Sequence, residues 1–245
     1  MKIVFSRKGF DTKFGGGPSP IIEGRPVSLP IPGSNGETTT YAERGLAGVV
    51  ALASRGKHGG ETACHDDPMF ADGKCWLGQV GAAQGHLRNK GIGSGDVFVF
   101  FGLYAEPGTG EKHHRVFGYM QVEATGSPQE IARDKAWLAP PRPHPHFHGE
   151  WHRNNAVWFG KGQTARNAGQ ELRLTLPGET RWSRWRVPDW MHARRPSYLA
   201  GDWRWIDRRT LDARGVWQEA VCDIGKAEKP RRWLDGIIAE IEREV

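Results

Sequence analysis

The chain has 245 residues, enough for one large domain or two small ones around a buried core. No apolar run approaches the roughly 20 residues that cross a bilayer, so membrane-spanning helices are excluded, and the charged opening MKIVFSRK does not read as a secretory leader. A net charge of +6, carried mainly by arginine, and 11 tryptophans point away from an acidic surface and suit a polyanionic partner with unpaired bases, DNA or nucleotides. The plainer reading of the same composition is a tryptophan core rimmed by stacked arginines. Three widely spaced cysteines (Cys64, Cys75, Cys222) read as reduced thiols and a cytoplasmic setting, without the paired spacing of a zinc knuckle.

In chain order, KIVFS reads as a first strand, and it runs directly into SRKGFDTKFGGGPSPI. A strand end holds side chains rigidly, while glycines let a ligand approach the backbone. Ser6, Arg7, Lys8, Gly16, Gly17 and Ser19 are therefore candidates for substrate binding. Arg7 and Lys8 suit a phosphate, the glycines suit an anion nest, and Asp11 is placed to orient or deprotonate a substrate. No Gly-Lys-Ser/Thr follows, so this is not a P-loop; the structural alternative is a solvated turn. RPVSLPIP predicts an edge strand, and TYAERGLAGVVALASR predicts a helix closed by Gly56.

CHDDP places His65 beside Asp66 and Asp67, a grouping that supplies a general base with an orienting carboxylate or binds a divalent ion; a capping turn is the structural alternative. In GQVGAAQGHL, Gln79 and Gln84 carry amides able to read a base edge, and His86 is a candidate proton-transfer group. The segment GAAQGHLRNKG predicts a helix, on which His86 points away from Gln84.

GDVFVFFGLYAE is apolar throughout, as expected of a strand buried on both faces, and RVFGYMQVEA predicts its antiparallel hairpin partner. SPQEIARDKAWL opens with a Ser127–Glu130 capping box. HPHFHGEWH offers His144, His146, His148 and His152. Pro143 and Pro145 favour a polyproline twist that would splay them, so the expectation is a polar loop lending one or two histidines to a cleft, with no bound metal and no cofactor. NAVWFG, headed by Asn155, then ELRLTL and VWQEAVCDI predict strands; Asn155, Gln218 and Glu219 join the substrate-binding candidates. PRRWLDGIIAEIEREV predicts a last helix with Leu234, Ile237, Ile238, Ile241 and Val245 on one face.

Taken together, KIVFSRKGFD…GGGPSPI, PVSLPIP, HDDP, GQVGAAQGHL, GDVFVFFGLY, VFGYMQV, HPH and WQEAV resemble the third of the nucleotide-modification-associated domain families. The resemblance spans most of the chain and implies a role in systems that modify or process unusual bases in DNA, often linked to phage–host conflict. Two departures stand out: the second aspartate of HDDP occupies an apolar position of the pattern, and GVWQEAV has Trp217 where the pattern reads Arg-Gly-Gln-Glu. The middle hairpin is also similar to the core of PUA-like barrels, including EVE and ASCH domains, which hold a modified or flipped base in an aromatic cleft.

The resulting expectation is a single α+β domain over 1–245, either a mostly antiparallel sheet or a small PUA/ASCH-like β-barrel core with inserted helices. Asp11, His65, Asp67, His86 and His146 are its candidate catalytic residues, with Gln79, Gln84 and His144 as further walls of the pocket. The leading function is base modification or glycosidic-bond cleavage. A non-catalytic reader of modified bases and a metal-dependent nuclease are the alternatives.

Overall fold

The computed structural model describes residues 1–215 and 219–244. In chain order its strands are β1 (Lys2–Arg7), β2 (Ser19–Ile22), β3 (Arg25–Pro26), β4 (Ile31–Pro32), β5 (Cys64–His65), β6 (Met69–Ala71) and β7 (Lys74–Gln79), then β8 (Val97–Ala105), β9 (Lys112–Gly126), β10 (Ala156–Thr164), β11 (Arg184–Arg186), β12 (Trp205–Asp207), β13 (Thr210–Asp212) and β14 (Ala220–Asp223). The helices are α1 (Ala47–Ala53), α2 (Gly81–Asn89), α3 (Pro128–Ile131), α4 (Asp189–Arg194) and α5 (Glu228–Glu242). None is long and apolar enough to cross a membrane.

The main sheet has nine strands with the central order β14-β1-β8-β9-β10-β7-β6. Its pairings are antiparallel except for β8 with β1 and with β2, so the mixed α+β class holds. The sheet is open and is not closed into the barrel that the hairpin suggested. Closure needs the two end strands to meet, and these ends, β14 and β6, are four and three residues long and pair only with β1 and β7.

The apolar run of β8 is buried on both faces, and its alternation divides the core. Val97, Val99 and Phe101 join Ile3, Phe5 and Tyr119 beneath α5 and the small β11-β13-β12 sheet. Phe98 and Phe100 face the other way, with Val4, Met120, Trp158 and Leu87 of α2. Trp185 is fully buried in the first layer, while Trp190, Trp205 and Trp233 pack at its edge, so much of the tryptophan-rich segment is core. On α5 the predicted apolar face is seen at Leu234, Ile237 and Ile241, which are buried.

Three elements differ from expectation. The first helix covers only Ala47–Ala53, because the backbone turns at Gly45 with φ of 69°. RPVSLPIP yields two two-residue strands, since its prolines lack the N–H of a ladder. ELRLTL forms a 3-10 turn over Gln170–Leu172 and isolated bridges from Arg173 and Thr175. The Ser127–Glu130 capping box forms but starts a single turn.

One feature of the sheet positions the site. Arg7 of β1 faces Phe101 of β8, and Ser19 of β2 faces Tyr104, so twelve positions on one line match three on the other. β1 and β2 are thus one strand line interrupted by residues 8–18, which are thrown out beyond the sheet as a loop.

Candidate active site

The ejected loop is fastened by its own charges. Asp11 Oδ1 accepts the backbone N–H groups of Lys13 (2.7 Å) and Phe14 (2.6 Å), and Oδ2 pairs with Arg7 at 2.9 Å. Gly15 adopts φ of 113°, where its hydrogen lies against the Phe10 ring; an ideal Cβ would stand 2.5 Å from it. This folding leaves a cavity of about 260 Å³ bounded by Arg7, Lys8, Asp11, His65, Asp67, Gly78, Gln79, His146 and Trp151, among others.

At the floor of the cavity, Lys8 stands between two buried carboxylates. Its Nζ lies 3.8 Å from Asp67 Oδ2 and 3.6 Å from Glu219 Oε1. Glu219 also accepts from the Gln79 side-chain amide. Burial pushes the Asp67 carboxyl up, but Lys8 and the nearby His144 and His146 outweigh it and hold the group well below the usual carboxylate range. For Glu219 burial dominates despite Lys8, and its carboxyl is raised. The two acids flanking one ammonium are therefore driven in opposite directions.

The histidines arrive from two places. His65 ends β5, and its Nδ1 lies 2.8 Å from Glu37 Oε1. Burial acts to raise the Glu37 carboxyl, but the Asn35 N–H and the His65 ring hold it below its ordinary value, so the ring nitrogen facing it is the donor. His65 Nε2 is left facing Asp67 Oδ2 at 3.9 Å. His146 sits in a 3-10 turn at Pro145–Phe147 that His144 caps; the loop lends His146 to the cavity and keeps His144 behind it. Asn155 fixes this turn: its side-chain NH₂ donates to the His146 carbonyl (2.9 Å), and its Oδ1 accepts from His146 Nδ1 (2.6 Å). The His146 ring lies flat on Trp151, with centroids 4.3 Å apart and planes 7° apart. Burial pushes its pKa down to about 4, so it is a neutral imidazole at pH 7. The His146 N–H donates to His144 Nδ1, which places the His144 proton on Nε2, 3.4 Å from Asp67 Oδ1. That same Oδ1 accepts the Gly78 N–H at 2.7 Å, leaving Oδ2 for the cavity.

Among the predicted residues, Arg7, Lys8, Asp11, His65, Asp67, Gln79 and His146 thus line one cavity, with His144, Asn155 and Glu219 directly behind them. Ser6 is buried on β1, the strand whose edge β14 covers beyond Glu219. Others lie elsewhere. Ser19 Oγ accepts the Leu29 N–H, the Gly16 N–H is spent on the Asp11 carbonyl, and Gly17 packs so close to α1 that a Cβ would stand 2.2 Å from the Ala53 carbonyl. On α2, Gln84 accepts from the Trp158 indole (3.2 Å), while His86 turns to Ser197 (2.9 Å) and Tyr198. Gln218 lies outside the described residues. His148 and His152 are exposed and stay out of the cluster.

Glu37, Gly78 and Trp151 went unread in the sequence. A Cβ on Gly78 would stand 2.0 Å from the His146 ring, so the glycine is what lets the imidazole lie against β7. The signal for Trp151 is its place in HPHFHGEWH, between His148 and His152.

Comparison with curated proteins and with solved structures returns no significant match. A family profile does match, over residues 2–223, which contain every residue of the cavity. The chain therefore belongs to the family described as nucleotide modification associated domain 3.

Proposed function

We propose that the protein is an enzyme acting on a base of DNA, by modifying it or by cleaving its glycosidic bond, and that the cavity beside residues 8–18 is its active site. The observation that carries this reading is the convergence of cationic Arg7 and Lys8 with the proton-handling groups His65, Asp67 and His146 in one cavity of about 260 Å³. That volume lies just below the range of about 300–1,000 Å³ typical of ligand sites, so it suits a single base and not a length of duplex. A base in a duplex must then be flipped out to be reached, and the Trp151–His146 stack offers it an aromatic wall.

The residues divide the work by their electrostatics. Asp67, ionised and rigidly held, stabilises positive charge that develops on a sugar or directs a nucleophile. His65 presents the Nε2 lone pair as the candidate general base, because Nδ1 donates to Glu37; His146, held neutral with Nδ1 donating to Asn155, offers Nε2 as a hydrogen-bond acceptor for the base. Arg7, oriented by Asp11 at the cavity wall, would meet the phosphate of the flipped nucleotide, while Lys8 neutralises the carboxylates beside it. The family assignment supports the theme of nucleotide modification.

The test is mass spectrometry of nucleosides and free bases from plain and modified DNA incubated with the protein. The reading expects a nucleoside gained or lost with the wild type and not with Asp67→Asn. Binding of modified DNA without any turnover would instead favour the reader of modified bases.

A further inference from the structure

The CHDDP segment offers a divalent ion His65 and Asp67, and the fold adds His146, from the loop expected to hold no metal, as a third donor. One ligand atom from each of His65, Asp67 and His146 lies within 4.8 Å of the other two. We propose that His65 Nε2, Asp67 Oδ2 and His146 Nε2 hold one divalent first-row transition-metal ion, zinc or ferrous iron, with its remaining positions open to the cavity. This does not rest on the base-directed reading, since the ion would bind whatever the substrate.

Donor type and donor orientation support the site independently. Two imidazoles and one carboxylate, with room for further ligands, form the donor set that zinc hydrolases and non-haem iron centres share. Both histidines are also prepared as ligands from behind. His65 Nδ1 is engaged by the Glu37 carboxylate at 2.8 Å and His146 Nδ1 by the Asn155 amide oxygen at 2.6 Å. Such partners fix the tautomer with Nε2 unprotonated and aim the ring at the metal. Asp67 is prepared in the same way, because the Gly78 N–H holds Oδ1 and turns Oδ2 to the cavity. An ion with bonds of about 2.1 Å sets its donors roughly 3–3.5 Å apart. Contraction of the trio by about 1 Å therefore completes the site. His65, at a strand end and 15 % exposed, is the ligand with room to move.

Lys8 is the opposing charge, with its Nζ 3.8 Å from Asp67 Oδ2. Glu219, 3.6 Å from the same ammonium, offers it a second counter-ion when a metal takes Asp67. Lys8→Met should therefore tighten metal binding.

The experiment uses full-length protein purified without a histidine tag, stripped with EDTA and titrated with cobalt(II), zinc or ferrous iron. The visible d–d absorption of cobalt(II) reports its ligand field. One ion per chain is expected. His65→Ala and His146→Ala should each weaken binding at least about tenfold, and Asn155→Ala, which keeps all three ligands, by about 10–100-fold. Exposed His148→Ala should bind like the wild type. Melting temperatures in EDTA identify a ligand variant that fails to fold, in which case Asn155→Ala and Lys8→Met carry the test. The proposal is overturned if the wild type takes up none of the three ions at near-equimolar concentration, or if the folded ligand variants and Asn155→Ala all bind as it does. Nucleoside turnover by protein held metal-free would leave the base-directed reading standing while sinking any need for the ion; stoichiometric binding without turnover would do the reverse.

Discussion

At the scale of single residues, the site depends on one ammonium. Lys8 lies between Asp67 and Glu219, which are 8 % and 3 % exposed. Removing one partner of a buried ionic group leaves uncompensated charge, at a cost of about 3 kcal/mol. Lys8→Ala should lower the unfolding free energy by about that amount, measured in urea with EDTA present. In Lys8→Ala/Glu219→Gln the two losses should sum to less than the separate values, because the second change removes a charge the first has stranded. Simple additivity would show that Lys8 does not bridge the pair. CHDDP shows how far such detail was legible. The sequence marked the group, but not that its two aspartates part company: Asp66 is buried between Arg44 and Arg142, both at 3.1 Å, and Asp67 alone faces the cavity. The side chains that decide this lie 22 residues before and 76 after Asp66, beyond any local pattern.

Between elements, the governing contact is β7 against the turn that carries His146. An ideal Cβ on Gly78 would meet that ring at 2.0 Å, and the ring is stacked on Trp151 on its other side. Gly78→Ala should displace the turn, abolish turnover and lower stability by about 1–3 kcal/mol, as overpacking does. Gly85 in α2 is the matched control, because a Cβ there meets nothing within 4 Å. Gly85→Ala should raise stability by about 0.5–1 kcal/mol, from helix propensity alone. Equal effects of the two changes on turnover would refute the close approach. Elements with a strong local signal were legible: the β8 run, α2, α5 and the Ser127 capping box. The interruption between β1 and β2 was not, because its proof is the register of both segments on β8, from 94 to 85 residues away. The open sheet was equally hidden, since hairpin motifs do not say whether the terminal strands meet.

For the whole molecule, burial of imidazoles sets a pH dependence. Burial pushes His113 and His146 down to about 4, and His114 well below its ordinary value. Unfolded imidazoles titrate near about 6.5, so below that pH only the unfolded chain gains these protons. The stabilisation is complete above about pH 6.5 and is lost as pH falls toward about 4, for His113 and His146 by about 2 kcal/mol each at pH 5, with His114 adding in the same direction. Glu219 acts in the opposite sense, its raised carboxyl being relieved by acid, but it is one group against three. Urea unfolding in EDTA at pH 7 and pH 5 should therefore show a marked loss of stability at the lower pH. An unchanged midpoint would mean that these rings are not held neutral.

The charge of +6 and the 11 tryptophans suit nucleic acid, and burial decides which rings can meet a base. Trp185 is core, whereas Trp203 is 67 % exposed with the Arg204 guanidinium 4.2 Å from its ring centre. Among the described residues, Trp151 is the tryptophan that lines the cavity. Location is therefore the most direct test of a base-binding active site: photo-crosslinking of DNA oligonucleotides carrying 5-iodouracil, with the crosslinked peptide identified by mass spectrometry. The cavity reading predicts a crosslink within residues 144–153 that disappears in Trp151→Ala, whereas crosslinks confined to the Trp203 segment, with none beside Trp151, would contradict it.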